Sequence, residues 1–307
     1  MKISVIGSSN TEMIFRSLVI PSAGETILGS GFHISPGGRG VTQAIAASRA
    51  GGDVTFLGRT GNDLFGEQVI DILREDHINT SHVIRDKVLA SGVSSIVVDD
   101  KGHSAITITA GANANLSSND ILKSLEVSKG DIVLLQLDIP IETVKYAADL
   151  AGAKGARVIL NPSPALPVSD ELLRSISILT PSTSQAEWMT GINITDERSA
   201  ELAGRILLER GLSRVIITLR SEGAMVIDNG GAEHVPGFAM KTVDTSVVND
   251  VFNGALVVAL GEGKNFYESV LFANAAAALS ASRQGSIPSI PYRPEILHAL
   301  KKEKRLH

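Results

Sequence analysis

Short apolar runs alternate with helical patterns of apolar and polar residues along most of the chain. Strands are predicted over 2–7, 54–57, 131–137, 157–160, 178–180 and 214–218. Helices are predicted over 41–50, 63–74, 141–152 and 199–211, and around Ala186. Apolar strands separated by helices are typical of a parallel sheet that is covered by helices on both faces. The pattern therefore predicts an α/β fold.

Two segments interrupt this alternation. Residues 11–35 contain short apolar pieces with several glycines, and residues 92–109 are predicted to form a hairpin with its turn at 99–102. If both segments leave the same edge of the sheet, they can pair into a small β-layer over a site. We therefore expect one α/β domain over 1–307, with a discontinuous β-lid at about 11–35 and 92–110.

The composition is that of a folded, acidic protein. The 307 residues are 43% hydrophobic and 20% charged, which allows a large core. The 28 basic and 33 acidic residues give a net charge of −5. The longest basic stretch is the tail Lys301, Lys302, Lys304 and Arg305, whereas a protein that follows a phosphate backbone needs a basic face. We therefore expect no nucleic-acid partner.

The sequence also favours a reducing compartment. The chain contains no cysteine, which excludes disulfides and thiolate zinc sites. Its start lacks the apolar region of a signal peptide, and no apolar run approaches about 18 residues. We expect a cytoplasmic protein without membrane contact.

The first candidate site is a glycine turn over 36–40 that leads into the alanine-rich helix predicted over 41–50. Glycines let a ligand approach the backbone, and the start of a helix offers unpaired N–H groups. Taken alone, a purely structural turn is the preferred interpretation, and the spacing is not that of the dinucleotide-binding G-x-G-x-x-G motif.

The second candidate is Asp250, just before an apolar helix predicted over 252–260. A carboxylate at this position lies near the positive end of the helix dipole and beside free backbone donors. The alternative interpretation is a simple helix cap.

Together, these segments resemble the ribokinase family of sugar kinases, within the PfkB carbohydrate kinases. The resemblance covers nearly the whole chain and includes motifs at 7–10, 60–66, 110–114, 161–165, 180–181, 235–238 and 275–291. It implies a ribokinase-like fold, with a doubly wound, mostly parallel sheet, helices on both faces and a small β-sheet lid. In this family the lid closes over the sugar and often forms a dimer interface, so a homodimer is expected.

The resemblance implies transfer of the ATP γ-phosphate to a primary hydroxyl of a pentose such as D-ribose or a related sugar. Asp250 falls on the catalytic base, and the backbone N–H groups of Val248, Asn249 and Asp250 on the anion hole. Sugar contacts are implied for Asn10, Glu12, Gly38, Arg39, Thr42, Asp138 and Asp250. Nucleotide contacts are implied for Ser182, Thr218, Arg220, Gly223 and Asn274.

Two metal ions are implied as well. Magnesium would be held through phosphates and water. A monovalent cation, usually potassium, would lie beside Asp244, with carbonyl groups of Ser246, Ala281, Gln284 and Ser286.

The sugar-binding motifs depart from the family pattern in a charge-conserving way. The family sequence G-G-K-G-A-N is G-G-R-G-V-T at 37–42, so Arg39 replaces lysine and Thr42 replaces asparagine. Glu12 stands where relatives have aspartate, and Asp138 where ribokinases have glutamate. Since the number of charges is kept, these changes indicate an altered substrate.

The phosphate-binding motifs depart further. The family A-A-G-D or G-A-G-D is V-V-N-D at 247–250, and N-x-x-E is S-x-x-Q at 182–185, which removes the carboxylate that arranges magnesium. Arg220 replaces a glycine that faces the phosphates. Two hypotheses stay open: a slow sugar kinase with altered substrate or metal use, and a pseudokinase that binds sugar or nucleotide as a sensor or partner subunit. A nicotinamide-dependent oxidoreductase is a distant third.

Overall fold

The computed structural model describes residues 1–303, and this part of the chain contains thirteen strands and ten α-helices. The strands are β1 (Ile3–Ile6), β2 (Asn10–Ser17), β3 (Gly29–Gly37), β4 (Val54–Gly61), β5 (Asn79–Asp86), β6 (Gly92–Val98), β7 (Ser104–Thr109), β8 (Ile132–Leu135), β9 (Arg157–Leu160), β10 (Ile178–Leu179), β11 (Arg214–Thr218), β12 (Gly223–Asp228) and β13 (Gly231–Pro236). The helices are α1 (Arg39–Arg49), α2 (Leu64–Glu75), α3 (Ser118–Ser124), α4 (Ile141–Ala153), α5 (Asp170–Arg174), α6 (Thr183–Thr190), α7 (Glu197–Glu209), α8 (Val248–Gly261), α9 (Phe266–Ala281) and α10 (Arg293–Glu303).

A nine-stranded sheet has the order β13-β12-β11-β10-β9-β8-β1-β4-β5. Its strands run parallel from β11 to β5, and only β12 runs in the opposite direction, antiparallel to both of its neighbours β11 and β13. The chain winds from β1 to one side through β4 and β5 and to the other through β8 to β11. The predicted doubly wound fold is confirmed, and ligand sites are expected where the winding reverses, at the carboxyl end of β1.

Each face of the large sheet carries its own hydrophobic core. One core lies against α1, α2, α8, α9 and α10, and the other lies against α3 to α7. Strands β1 and β8 are buried along their whole length, since helices cover both faces. Strands of this kind are predicted from continuous rather than alternating apolar runs. The bounds predicted in this way for β9 and β11 are confirmed.

Small residues bring the first and eighth helices close together. A Cβ atom added at Gly254 in α8 would lie 2.5 Å from the Cβ of Ala46 and 2.7 Å from the carbonyl oxygen of Gln43, both in α1. A side chain at position 254 would therefore push the helices apart. Their close packing places the starts of α1 and α8 side by side at the carboxyl end of β1.

A second, four-stranded sheet has the order β3-β2-β6-β7. Strand β2 follows β1 directly and pairs in parallel with β6, while the outer pairs are antiparallel. The two interrupting segments do form one β-layer, as predicted. The predicted hairpin turn at 99–102 is also present, with the N–H of Gly102 donating to the carbonyl of Asp99 over 3.0 Å.

The last helix that the sequence predicted begins earlier than expected. The predicted range was 252–260, but α8 starts at Val248, so Asp250 lies inside the first turn. The capping position is Val247, which makes no side-chain cap hydrogen bond. Asp250 is therefore not a helix cap, and its carboxylate is available for another role.

No helix within residues 1–303 is long and apolar enough to cross a bilayer. Of the basic tail, Lys301 and Lys302 lie in the last turn of α10, while Lys304 and Arg305 lie outside the described residues.

Candidate active site

The glycine turn fixes the start of α1 against the connection between β1 and β2. Gly38 occupies the capping position with φ of +91°, a left-handed conformation that favours glycine. A Cβ atom there would lie 2.7 Å from the amide nitrogen of Asn10 and 3.0 Å from the carbonyl oxygen of Ser8. The turn is thus required by packing, and it brings Arg39 and Thr42 to the carboxyl end of β1.

Asp250 lies beside this turn, in the first turn of α8, with only 4% of its surface exposed. Its Oδ1 atom accepts a hydrogen bond from Nε2 of Gln43 over 2.8 Å. Burial raises the pKa of Asp250, although the charge of Arg39 and the hydrogen bond from Gln43 act in the opposite direction. A carboxylate with a raised pKa is a stronger base than an ordinary aspartate.

A second carboxylate, Asp138, follows β8 at the same edge of the sheet. Burial raises its pKa to about 6, against the hydrogen bond from Ser8 and the charge of Arg39, and the charge of Asp250 raises it further. Its Oδ1 atom is closed off from solvent and has no hydrogen-bond partner among residues 1–303. An orphaned buried acceptor of this kind suits a hydroxyl donor of a ligand.

The third carboxylate, Glu12, comes from the second sheet. Burial raises its pKa, and the hydrogen bond from Oγ of Ser286 to its Oε2 atom (3.0 Å) and the charge of Arg39 oppose this. Arg39 makes no ion pair with any acidic side chain in the described part of the chain, although its charge acts on all three carboxylates. These four charged groups therefore lie close enough to influence one another electrostatically.

Asn10, the first residue of β2, completes this cluster. Its Oδ1 atom accepts a hydrogen bond from Nδ2 of Asn113 over 2.9 Å, and Asn113 also accepts from the amide of Ser9 (2.8 Å). Asn113 therefore holds the Asn10 side chain in one orientation. Thr42 is buried on α1, three residues after Arg39 and therefore on a neighbouring part of the same helix face. The structure thus gathers the predicted sugar-binding residues at one place.

A cavity of about 480 Å³ lies next to the acidic cluster. All five residues predicted to bind the nucleotide line it, namely Ser182, Thr218, Arg220, Gly223 and Asn274. Val248 and Asn249 of the predicted anion hole line it as well. The start of α8 therefore lies between this cavity and the carboxylates. The volume is in the range of small-molecule and cofactor sites.

The start of α8 has unpaired backbone donors. The N–H groups of Asn249 and Asp250 have no acceptor among the described residues, and that of Val248 has only the distant carbonyl of Thr245 at 3.5 Å. The first bond of the helix is from the N–H of Val251 to the carbonyl of Val247 (2.9 Å). Free donors at the positive end of a fourteen-residue helix can bind an anion, despite the valines.

Arg220 and Gly223 share a left-handed backbone at one wall of the cavity. Gly223 has φ of +103°, and a Cβ atom there would lie 2.1 Å from the carbonyl oxygen of Val235. Arg220 has φ of +55°, an unfavourable conformation for a residue with a Cβ atom. Its side chain is exposed and makes no ion pair within residues 1–303. A lone guanidinium at the cavity suits a phosphate group.

Ser182 and Gln185 use their side chains to cap α6. Gln185 Oε1 accepts from the N–H of Ser182 (2.9 Å), and Oγ of Ser182 accepts from the N–H of Gln185 (3.3 Å). Neither side chain therefore replaces the lost carboxylate in arranging a metal ion. Asn274 likewise uses its Nδ2 group on the carbonyls of Val235 and Pro236.

The residues predicted to hold a monovalent cation come from two neighbouring loops and, for Ala281, from the last residue of α9. The Asp244 carboxylate accepts hydrogen bonds from the N–H groups of Ser246 (2.9 Å) and Gly285 (3.1 Å). Burial raises the pKa of Asp244, but these bonds and the charge of Arg16 hold it below its ordinary value. Asp244 is therefore an anion at neutral pH.

Two of the four carbonyl groups expected beside Asp244 are already engaged. Ala281 accepts from the N–H groups of Val243 (2.7 Å) and Asp244 (3.2 Å), and Ser286 accepts from N and Oγ of Ser289. A carbonyl oxygen has two lone pairs, so both oxygens are saturated.

The other two carbonyls, those of Ser246 and Gln284, accept no hydrogen bond from residues 1–303. The loops therefore fit a cation through Asp244, Ser246 and Gln284, and fit the complete set of five residues only if Ala281 and Ser286 change partners.

A buried network of amide and hydroxyl groups connects the acidic cluster to the cavity, and it was not predicted from the sequence. Gln43 contacts Asp250, Gln136 and Asn161; Asn161 donates to the carbonyl of Thr180; and Thr180 donates to Asn253, which donates to the carbonyl of Asn249. The only signal in the sequence was the presence of amides within apolar segments, such as Gln43 in the helix predicted over 41–50.

Known proteins resemble this chain over nearly its whole length. A model of the family described as pfkB family carbohydrate kinase matches residues 1–293. The ribokinase of Haemophilus influenzae is 36% identical over 299 residues, which cover 97% of this chain and 98% of that protein.

Two solved structures are also similar. The ribokinase of Thermotoga maritima matches with a TM-score of 0.88 and 34% identity over 98% of this chain and 99% of that one. The ribokinase of Arabidopsis thaliana, complexed with ribose and ATP, matches with a TM-score of 0.90 and 28% identity over 98% of both chains. The fold, the full-length family match and this level of identity agree with the motifs found in the sequence, and the chain belongs to the pfkB family of carbohydrate kinases.

Proposed function

We propose that this protein is an ATP-dependent sugar kinase of the ribokinase type that phosphorylates a primary hydroxyl of a pentose such as D-ribose or a related sugar. The observation that carries the proposal is the position of Asp250. Its buried carboxylate lies among the polar groups at the carboxyl end of β1, while Val248 and Asn249 of the same helical turn line the cavity of about 480 Å³.

In this proposal Asp250 is the general base. It takes the proton of the sugar hydroxyl as that oxygen forms a bond to the γ-phosphorus, and the bond from phosphorus to the β–γ bridging oxygen breaks to release ADP. The backbone N–H groups of Val248, Asn249 and Asp250 stabilise the charge on the transferring phosphoryl group. The raised pKa of Asp250 supports the role, since the carboxylate needs affinity for the proton it accepts.

The sugar occupies the space between Arg39 and the three carboxylates. Carboxylates and amides each engage two neighbouring hydroxyls, so this set suits a polyol. The unpaired Oδ1 atom of Asp138 accepts one sugar hydroxyl, and Asn10, held by Asn113, binds another. Glu12, Gly38 and Thr42 complete the proposed contacts.

ATP occupies the neighbouring cavity. The proposed contacts are Ser182, Thr218, Arg220, Gly223 and Asn274, and the exposed Arg220 binds a phosphate oxygen. Among residues 1–303, no group of three or more acidic or histidine side chains is arranged to hold a metal ion. Magnesium would therefore be held through the ATP phosphates and water, where it neutralises phosphate charge.

A monovalent cation would lie at the loops described above, held by Asp244 and the free carbonyls of Ser246 and Gln284. Ala281 and Ser286 would join once their hydrogen bonds rearrange. A cation such as potassium, if bound there, would supply positive charge to the site.

The second sheet acts as a lid in this proposal. We infer one ribokinase-like domain over 1–307, in which the lid consists of about 11–35 and 92–110. Its exposed apolar side chains, among them Phe32, Ile106 and Ile108, support a homodimer formed through the two lids. A cytoplasmic location is part of the same proposal, and fractionation of cells would test it.

A second candidate is a pseudokinase that binds sugar or nucleotide without phosphoryl transfer. Arg220 at a strained position and Gln185 engaged in a helix cap are the observations that favour it. Incubation with ATP, magnesium and a panel of pentoses and hexoses distinguishes the two. A kinase yields a sugar phosphate and ADP, which mass spectrometry detects; a pseudokinase yields binding heat in calorimetry and no product.

A further inference from the structure

Gln43 makes hydrogen bonds with every polar atom of its amide group, and one of these reaches Asp250. Its Nε2 atom donates to Oδ1 of Asp250 over 2.8 Å and to Oδ1 of Asn161 over 3.3 Å. Its Oε1 atom accepts from Nε2 of Gln136 over 2.6 Å. All of Gln43 and Gln136 is buried. Such a fully satisfied group is held in one orientation.

The direction of these bonds follows from chemistry. An ionised carboxylate can only accept, so Nε2 of Gln43 must face Asp250, and Oε1 must then face Gln136. Asn161 is fixed in the same sense, because its Nδ2 atom donates to the carbonyl of Thr180 over 2.9 Å. The amide of Gln43 therefore cannot turn without breaking three hydrogen bonds.

The orientation of Gln136 leaves one polar atom of its amide group unpaired. Its own Oε1 atom is buried without a partner in the described part of the chain. It lies against Gly7, where an added Cβ atom would come within 1.8 Å of that oxygen. A buried acceptor left unpaired is unfavourable by about 1–3 kcal/mol. The packing thus favours the single orientation of Gln136 that presents its Nε2 donor to Gln43.

We infer that Gln43, oriented by Gln136, is a positioning residue that fixes the Asp250 carboxylate and leaves Oδ2 as the atom that accepts the proton of the substrate hydroxyl. The inference rests on the proposed function. Oδ1 faces an N–H donor and cannot take up a proton there without losing that bond. Oδ2 has no protein hydrogen bond among residues 1–303. The proton therefore ends on Oδ2.

Other charged groups also act on Asp250 and must be included in any test by pH. Arg39 from α1 lowers its pKa, and the hydrogen bond from Gln43 lowers it as well. Glu12 from the second sheet and Asp138 after β8 carry like charge close by. Arg39, Glu12 and Asp138 all stay unchanged when Gln43 is replaced by an apolar residue.

The test compares Gln43→Met with the wild-type chain and with Gln68→Met, the same substitution at a half-buried glutamine of α2 that makes no side-chain hydrogen bond in the described residues. Removal of the donor leaves Asp250 freer to rotate and raises its pKa. We expect kcat to fall about ten- to a hundred-fold. The acid limb of the kcat profile should move up by about one pH unit. The KM for the sugar should change little, and Gln68→Met should behave like wild type.

Thermal unfolding shows whether the Gln43→Met variant is folded. A folded variant that keeps both the wild-type kcat and the wild-type acid limb of the kcat profile would overturn the inference. If that variant does not fold, Gln136→Met removes only the partner of Oε1, and a smaller shift in the same direction supports the inference while no shift overturns it. The proposed function fails separately, if the wild-type chain makes no sugar phosphate or Asp250→Asn turns over normally. In that case the ¹³C chemical shift of the Asp250 carboxyl, titrated in wild type and Gln43→Met, still decides: equal pKa values contradict the role of Gln43.

Discussion

Ser286 Oγ donates a hydrogen bond to Oε2 of Glu12 over 3.0 Å, which joins the loop before the last helix to the second sheet. Glu12 belongs to the proposed sugar site, and Ser286 to the proposed cation site. The bond therefore connects the second sheet with the loop of the proposed cation site through a residue of the proposed sugar site.

Ser286→Ala is expected to weaken sugar binding in a pH-dependent way. Burial raises the pKa of Glu12 and the Ser286 bond lowers it, so loss of the bond raises the pKa further. More Glu12 is then protonated as the pH falls, and the sugar loses a carboxylate acceptor. Calorimetry should give a several-fold higher Kd for the sugar at pH 6 and a smaller change at pH 8. Ser282→Ala, which removes only a bond to the carbonyl of Leu279, is the control; an equal effect in both variants would contradict the account.

Arg220→Gly tests whether the Arg220 side chain binds a phosphate oxygen of ATP or only obstructs the cavity. Glycine relieves a left-handed conformation that costs a residue with a side chain about 1–2 kcal/mol. If Arg220 binds a phosphate oxygen, the KM for ATP rises at least several-fold although the protein becomes no less stable. Steady-state kinetics and thermal unfolding measure both. A lower KM or a higher kcat would mean that Arg220 only obstructs the site. Arg157→Ala, on an exposed arginine at the start of β9, controls for the loss of charge.

Gly223→Ala should destabilise the fold and distort the nucleotide cavity. Its φ of +103° and the 2.1 Å approach of an added Cβ atom to the carbonyl of Val235 both oppose a side chain. Gly263→Ala is the matched control, because Gly263 has φ of +80° but nothing within 4 Å of its Cβ position. Urea unfolding should show a loss of about 1 kcal/mol for Gly263→Ala and clearly more for Gly223→Ala. Equal losses would mean that the close approach to Val235 is easily relaxed.

Ile108→Lys is expected to convert the proposed dimer into a monomer. Ile108 is 62% exposed on β7, and a charge there opposes burial in an apolar interface. Light scattering after size-exclusion chromatography measures the mass. Leu122→Lys, on an exposed leucine of α3 at 58% exposure, is the control and should leave the mass unchanged. A wild-type monomer would remove the homodimer from the account.

The sequence predicted the body of the fold because its inner strands are apolar along their whole length. β9 and β11 have the predicted bounds, since both faces of each strand are covered. β5, β12 and β13 were not predicted. β5 has the sequence NTSHVIRD at the edge of the large sheet, where polar residues are tolerated, and this hides the strand pattern.

The site was predicted in its parts rather than in its connections. Motif resemblance named the five residues that do line one cavity. The hydrogen bonds of Gln43 and Thr180 depend on how helices and strands from distant parts of the chain pack, and neither periodicity nor spacing contains that information. The left-handed backbone of Arg220 could be suspected only because a glycine was expected there.

The most direct test of the central claim is sugar phosphorylation by the wild-type chain and by Asp250→Asn. We predict that the wild-type chain converts a pentose and ATP to a sugar phosphate and ADP. Asp250→Asn should lose about a hundred- to ten-thousand-fold in kcat with little change in sugar affinity by calorimetry. Equal turnover in the two chains, or no sugar phosphate from the wild-type chain with any sugar of the panel, would contradict the account.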